Sequence, residues 1–249
     1  MFDVRRRPWY IQGSSSPKNV LLLIDTSGST SGQTIGLMKV TVNSILDTLV
    51  EDDFVLAMEF NAYTRFVGCP FDGEDEFTHE QFEEAGCCFN TFKQADDRNK
   101  KAISAAVSVL KSQNQANYQI GFKAAFEQFI KFRQTEASMS QGSDCNEVIM
   151  LLTDGGMEYP EAIFKEYNPK KTVRIFTFAI GPAATPIAAP RRIACTNRGY
   201  FTKIPSMGAI RSKVQNMGMI TTVTLPVYNV SYASDNSDDS SGDGTRREH

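Results

Sequence analysis

The chain has 249 residues, with 41% hydrophobic and 22% charged, values that suit one well-buried domain of about 200 residues with short flanks. Its net charge of -3 excludes the strongly basic balance of a nucleic-acid surface. No apolar run approaches the length of about 18 residues needed to span a membrane, and the basic start, Arg5-Arg6-Arg7-Pro8-Trp9, has no apolar segment behind it and reads as lacking a signal peptide.

In chain order, the continuous apolar run over 20–25 predicts a buried parallel strand. It ends in Asp25-Thr26-Ser27-Gly28-Ser29, which places a carboxylate and two hydroxyls at alternate positions on a strand-to-helix turn. Met38, Val42, Ile45, Leu46 and Leu49 recur at helical spacing and predict a helix over 33–50. Residues 54–60 read as a second strand, with 65–69 as its hairpin partner. The acidic, aperiodic stretch over about 70–90 reads as a surface insertion. A helix is expected over 98–110, and another bears Tyr118, Phe122, Ala125, Phe126 and Phe129 as a core-facing stripe.

A second fully apolar strand, 148–152, runs into Thr153-Asp154-Gly155-Gly156. A helix over 161–167, a buried strand over 173–180 and an edge strand over 200–204 complete the pattern. Alternation of this kind implies an α/β fold, a doubly wound and mostly parallel sheet with helices on both faces, in which ligands sit outside the carboxyl ends of the strands. Asp25 and Asp154 each stand at such an end, so the fold brings them to one rim together with Ser27 and Ser29. Hard oxygen donors of this kind suit magnesium, calcium or manganese. Gly28, Gly155 and Gly156 let the loops approach closely.

Asp25-x-Ser27-x-Ser29 with the distant Thr153-Asp154-Gly155 resembles the metal-ion-dependent adhesion site of von Willebrand factor A domains. Longer words, among them Pro8-Trp9-Tyr10-Ile11-Gln12-Gly13, Phe126-Glu127-Gln128, Arg174-Ile175-Phe176-Thr177-Phe178, Asn197-Arg198-Gly199-Tyr200 and Thr224-Leu225-Pro226-Val227-Tyr228-Asn229, resemble the α2δ auxiliary subunits of voltage-gated calcium channels. The resemblance implies a Rossmann-like A domain over 19–215, preceded by a flank over 1–18. A remnant of the following region would cover 216–230, and 231–249 reads as a disordered Ser/Asp/Gly-rich tail.

The same resemblance implies one divalent cation, ligated directly by Ser27 and Ser29, with Asp25 and Asp154 holding its waters. An acidic side chain of the pore-forming channel subunit would complete the site. The implied role is support of channel trafficking and calcium current at the extracellular face of the plasma membrane, and the chain reads as a truncated or isoform-like form without the family's signal peptide, Cache region and anchor. Where the family has a threonine before Asp-Tyr, this chain reads Ala116-Asn117-Tyr118, which makes Asn117 a candidate replacement ligand.

The five cysteines, Cys69, Cys87, Cys88, Cys145 and Cys195, have no zinc spacing. In an oxidising compartment they become disulfide candidates, Cys195 matching a family cysteine that joins another segment. Asn229-Val230-Ser231 is an N-glycosylation acceptor. Two other readings compete. One is an adhesion or scaffold A domain with a different protein ligand. The other is a phosphatase, which wants a second aspartate where Ser27 stands, so the chain is expected not to be an enzyme.

Overall fold

The fold is that of a computed structural model, which describes residues 17–68, 89–134, 146–156 and 158–222. Among these residues run strands β1 (Asn19–Asp25), β2 (Phe54–Phe60), β3 (Thr64–Phe66), β4 (Lys93–Gln94), β5 (Glu147–Thr153), β6 (Val173–Ile180) and β7 (Phe201–Ile204). The helices are α1 (Gln33–Leu46), α2 (Asp97–Ser108), α3 (Tyr118–Arg133), α4 (Glu161–Tyr167), α5 (Ala188–Thr196) and α6 (Met207–Thr222). The sheet order is β3-β2-β1-β5-β6-β7, with β4 also beside β2. Strands β2, β1, β5, β6 and β7 are parallel, while β3 and β4 run antiparallel to β2.

Strands buried on both faces need apolar side chains at consecutive positions rather than alternate ones. β1 is buried at every position, and Val148 to Leu152 of β5 are buried beside it. α1 packs against α2 and α6 on one face of the sheet, while α3 packs against α4 on the other, where α5 reaches Tyr159 through Arg192 and Thr196. There Phe122 stacks edge-on to Phe164, with ring centroids 5.0 Å apart, and so seats α3 against α4. The aromatic stripe on α3 is core, as its spacing suggests: Phe122, Phe126, Phe129 and Phe132 are all buried.

The elements differ from the periodicity in a few places. α1 stops at Leu46 rather than 50, because the chain turns sharply so that β2 can begin at Phe54. That turn is held by the Asp53 carboxylate, which accepts from the Val50 N–H at 2.9 Å and from Lys18 Nζ at 2.8 Å. Lys18 and Asp53 are both buried, so the pair locks the starts of β1 and β2 together at the amino rim. α5, with Pro190 in its first turn, is not among the elements that periodicity predicts. Pro is at home there because the first-turn N–H has no intrahelical partner. α6, over Met207–Thr222, has no counterpart in the predicted elements. Phe89, within the stretch read as surface, is buried in the core.

Cys69, Cys87, Cys88, Cys145, Asn229, most of the expected insertion, residues 1–16 of the flank and the tail lie outside the described residues. Cys195 is a free, exposed thiol on α5.

Candidate metal centre

Parallel register fixes the first half of the site. Ile24 of β1 pairs with Leu152 of β5, so the next residue on each strand, Asp25 and Thr153, emerges level at the carboxyl rim. Asp25 is wholly buried. Its Oδ1 accepts from the Ser27 N–H at 2.9 Å, and its Oδ2 accepts from the Thr153 hydroxyl at 2.8 Å. The Ser27 and Ser29 hydroxyl oxygens are 3.0 Å apart, and Ser29 Oγ donates to Asp154 Oδ1 at 3.2 Å. Asp25, Ser27, Ser29 and Asp154 therefore meet as one hydrogen-bonded group. It is walled in at Asp25 and open to solvent at Ser29.

A third loop is strapped to the first. The Gln113 N–H donates to the Thr26 carbonyl at 2.8 Å, the Gly28 N–H donates to the Asn114 carbonyl at 2.8 Å, and the Thr30 and Ser112 hydroxyls are 2.8 Å apart. A Cβ on Gly28 would stand 3.3 Å from the Asn114 oxygen, so glycine allows this approach with little room to spare. Ala116 lies exposed on this loop. Asn117 is turned to its own helix: its amide oxygen accepts from the Ile120 N–H at 3.1 Å and caps α3.

Two participants were not singled out from the sequence. Thr153 belongs to the Thr153-Asp154-Gly155 half of the motif without a role of its own in the ligand set, and its hydroxyl is the one that holds Asp25 Oδ2. Tyr118 was counted in the core stripe, and its ring is buried; its hydroxyl oxygen nonetheless lies 2.8 Å from Thr153 Oγ1 and donates to the Gly155 carbonyl at 2.8 Å. Helical periodicity sees the ring and is blind to the hydroxyl. The available signal was Tyr118's place next to Asn117, at the start of a helix facing the rim.

Burial pushes the Asp25 carboxyl up to about 6, against hydrogen bonds from Ser27 and Thr153 that favour the anion, and the Asp154 charge adds to the rise. Asp154 is also raised, chiefly by desolvation. Burial likewise pushes the Tyr118 phenol up, so its hydroxyl keeps its proton and donates. Neither acid has a basic partner among the described residues, and a buried anion without one is costly. Two carboxylates and two hydroxyls form a donor set that fits a hard divalent cation, whose charge would relieve both acids. No group of three or more His, Cys, Asp or Glu side chains suited to a metal occurs among the described residues, so hydroxyls are needed to complete the set.

The model of the von Willebrand factor type A domain matches residues 19–216. The chain is 37% identical, over 261 aligned residues, to the voltage-dependent calcium channel subunit alpha-2/delta-2 of Mus musculus; the alignment covers 92% of this chain and 20% of that protein. The chain thus spans about a fifth of the length of that relative. Among solved structures it is similar to a von Willebrand factor type A protein from Catenulispora acidiphila, with a TM-score of 0.59, 19% identity, and coverage of 83% of this chain and 43% of that one. It is also similar to proximal thread matrix protein 1 from the mussel byssus, a structure with a zinc-occupied MIDAS motif, at a TM-score of 0.52, 16% identity, and coverage of 83% and 46%. At such identities the structural likeness establishes the fold.

Proposed function

Because the chain belongs to the von Willebrand factor type A family and is similar to a voltage-dependent calcium channel subunit, we propose that it is a divalent-cation-dependent protein-interaction module of a channel auxiliary subunit. The observation that carries this reading is the convergence of Asp25, Ser27, Ser29 and Asp154 at one solvent-facing rim.

Ser27 and Ser29 would be direct ligands, while Asp25 and Asp154 orient the serine hydroxyls and accept from the ion's waters. When bound, a divalent cation with neutral direct ligands supplies an electrophilic centre that accepts a carboxylate from a partner. The partner proposed is the pore-forming subunit of a voltage-gated calcium channel, engaged through an acidic side chain at the extracellular face of the plasma membrane, in support of trafficking and calcium current. No helix among the described residues is long and apolar enough to cross a membrane. The role is binding rather than catalysis, since Ser27 stands where a phosphatase would place its second aspartate.

Capture of extracellular segments of the pore-forming subunit, with and without chelator, tests the reading. Capture that needs magnesium and is lost in Asp25→Ala is expected. Capture indifferent to chelator removes the cation from the mechanism, and magnesium-dependent capture of other proteins alone would make the chain an adhesion module with a different ligand.

A further inference from the structure

Two hydroxyl protons serve the inner side of the rim, and the acceptors there outnumber them. Thr153 Oγ1 lies 2.8 Å from Asp25 Oδ2 and 3.0 Å from the Gly155 carbonyl, so its single proton has two claimants. The Tyr118 hydroxyl donates to that same Gly155 carbonyl at 2.8 Å. With Tyr118 already donating to the carbonyl, a second bond there adds little, and the Thr153 proton goes to the carboxylate of Asp25, while Thr153 Oγ1 accepts from the Gly155 N–H at 3.1 Å. The phenol reaches this position only because Gly156 has no side chain: a Cβ there would stand 2.6 Å from the Tyr118 hydroxyl oxygen. The opposite side of the loop is pinned by the Gly156 N–H, which donates to the Pro186 carbonyl at 2.9 Å.

We propose that Tyr118 is a positioning residue of the cation site: by occupying the Gly155 carbonyl it reserves the Thr153 proton for Asp25 Oδ2 and so fixes the orientation in which Asp25 faces Ser27 and Ser29. The inference rests on the reading of this rim as a cation site and adds that its order is set from α3, through a residue that is not itself a ligand. Outer partners of this kind typically change metal affinity by about 10- to 100-fold when removed.

The test is calorimetric titration of magnesium into the full chain as wild type, Tyr118→Phe, Thr153→Val and the double variant, with the Tm of each measured in chelator. Tyr118→Phe keeps the ring and loses only the hydroxyl; its magnesium Kd is expected to rise about 10-fold. Thr153→Val should lose at least as much, and the double variant no more than Thr153→Val alone, because Tyr118 acts through Thr153. A purely structural Tyr118 would lower the metal-free Tm and leave the Kd in place. Tyr118→Phe binding within twofold of wild type, or losses that add in the double variant, overturns the proposal. Should Thr153→Val fail to fold, Thr153→Ser replaces it and must bind as wild type does; weaker binding by the serine variant overturns the proposal too. Wild type that takes up none of magnesium, calcium and manganese overturns the cation-site reading itself, an outcome distinct from all of these.

Discussion

Asp25 is where electrostatics and binding oppose one another. Its carboxyl is held at about 6 in the folded chain, above its ordinary value of 3.8. A raised carboxyl contributes stability that is fully present below pH 3.8 and lost as pH climbs through 6, a difference of about 3 kcal/mol for a rise from 3.8 to about 6. In chelator, therefore, Asp25→Asn should unfold at a higher temperature than wild type at pH 7 and show a flatter dependence of Tm on pH between 4 and 7. With the cation the sign reverses, because binding needs the carboxylate: wild-type magnesium affinity should fall as pH drops below about 6, and Asp25→Asn should show no magnesium response at any pH. Ala116 offers the complementary test. It is exposed on the loop strapped to Thr26 and Gly28, so Ala116→Thr adds a hydroxyl without displacing a packed group. A tightening of magnesium binding by about 1 kcal/mol is expected in calorimetry; unchanged affinity would mean that the missing threonine left no gap.

Helix α3 does two jobs from adjacent residues. Asn117 caps it through the Ile120 N–H, and Tyr118 turns its hydroxyl to the rim. Asn117→Ala should therefore cost about 1 kcal/mol in chemical denaturation, as the loss of an N-cap does, and leave the magnesium Kd within twofold; a loss of affinity above fivefold would make Asn117 a ligand instead. The legibility of these elements follows from their chemistry. β1 and β5 are plain in the sequence because strands buried on both faces demand apolar side chains at consecutive positions, as over 20–24 and 148–152. α5 escaped because its nine residues carry Pro190 and only a short apolar face, and α6 because its apolar positions, Ile210 and Val214 among them, are sparse. Thr153 and Tyr118 escaped for another reason: a hydroxyl adds no period to a pattern of apolar side chains.

At the scale of the whole molecule, the site joins elements that fold far apart in sequence, so cation binding should stabilise the domain as a unit. Magnesium at about 100 times its Kd contributes about 2.7 kcal/mol, which for a domain of this size raises the Tm by roughly 5 to 10 °C. A thermal scan with magnesium and then with excess chelator checks this, and an unchanged Tm would count against a cation linking β1 to β5. The alternation of strands and helices is legible along the chain because hydrophobic periodicity is local, and the rule that Asp25 and Asp154 end on the same rim follows from the parallel sheet that such alternation implies. Tertiary structure alone decided which hydroxyl holds which oxygen. The pairing of Ile24 with Leu152 puts Thr153 against Asp25, and the missing Cβ of Gly156 admits Tyr118 from a helix on one face of the sheet. Hydrogen bonds of this kind are set by distances of a few tenths of an ångström between distant segments, and no pattern along the chain encodes them.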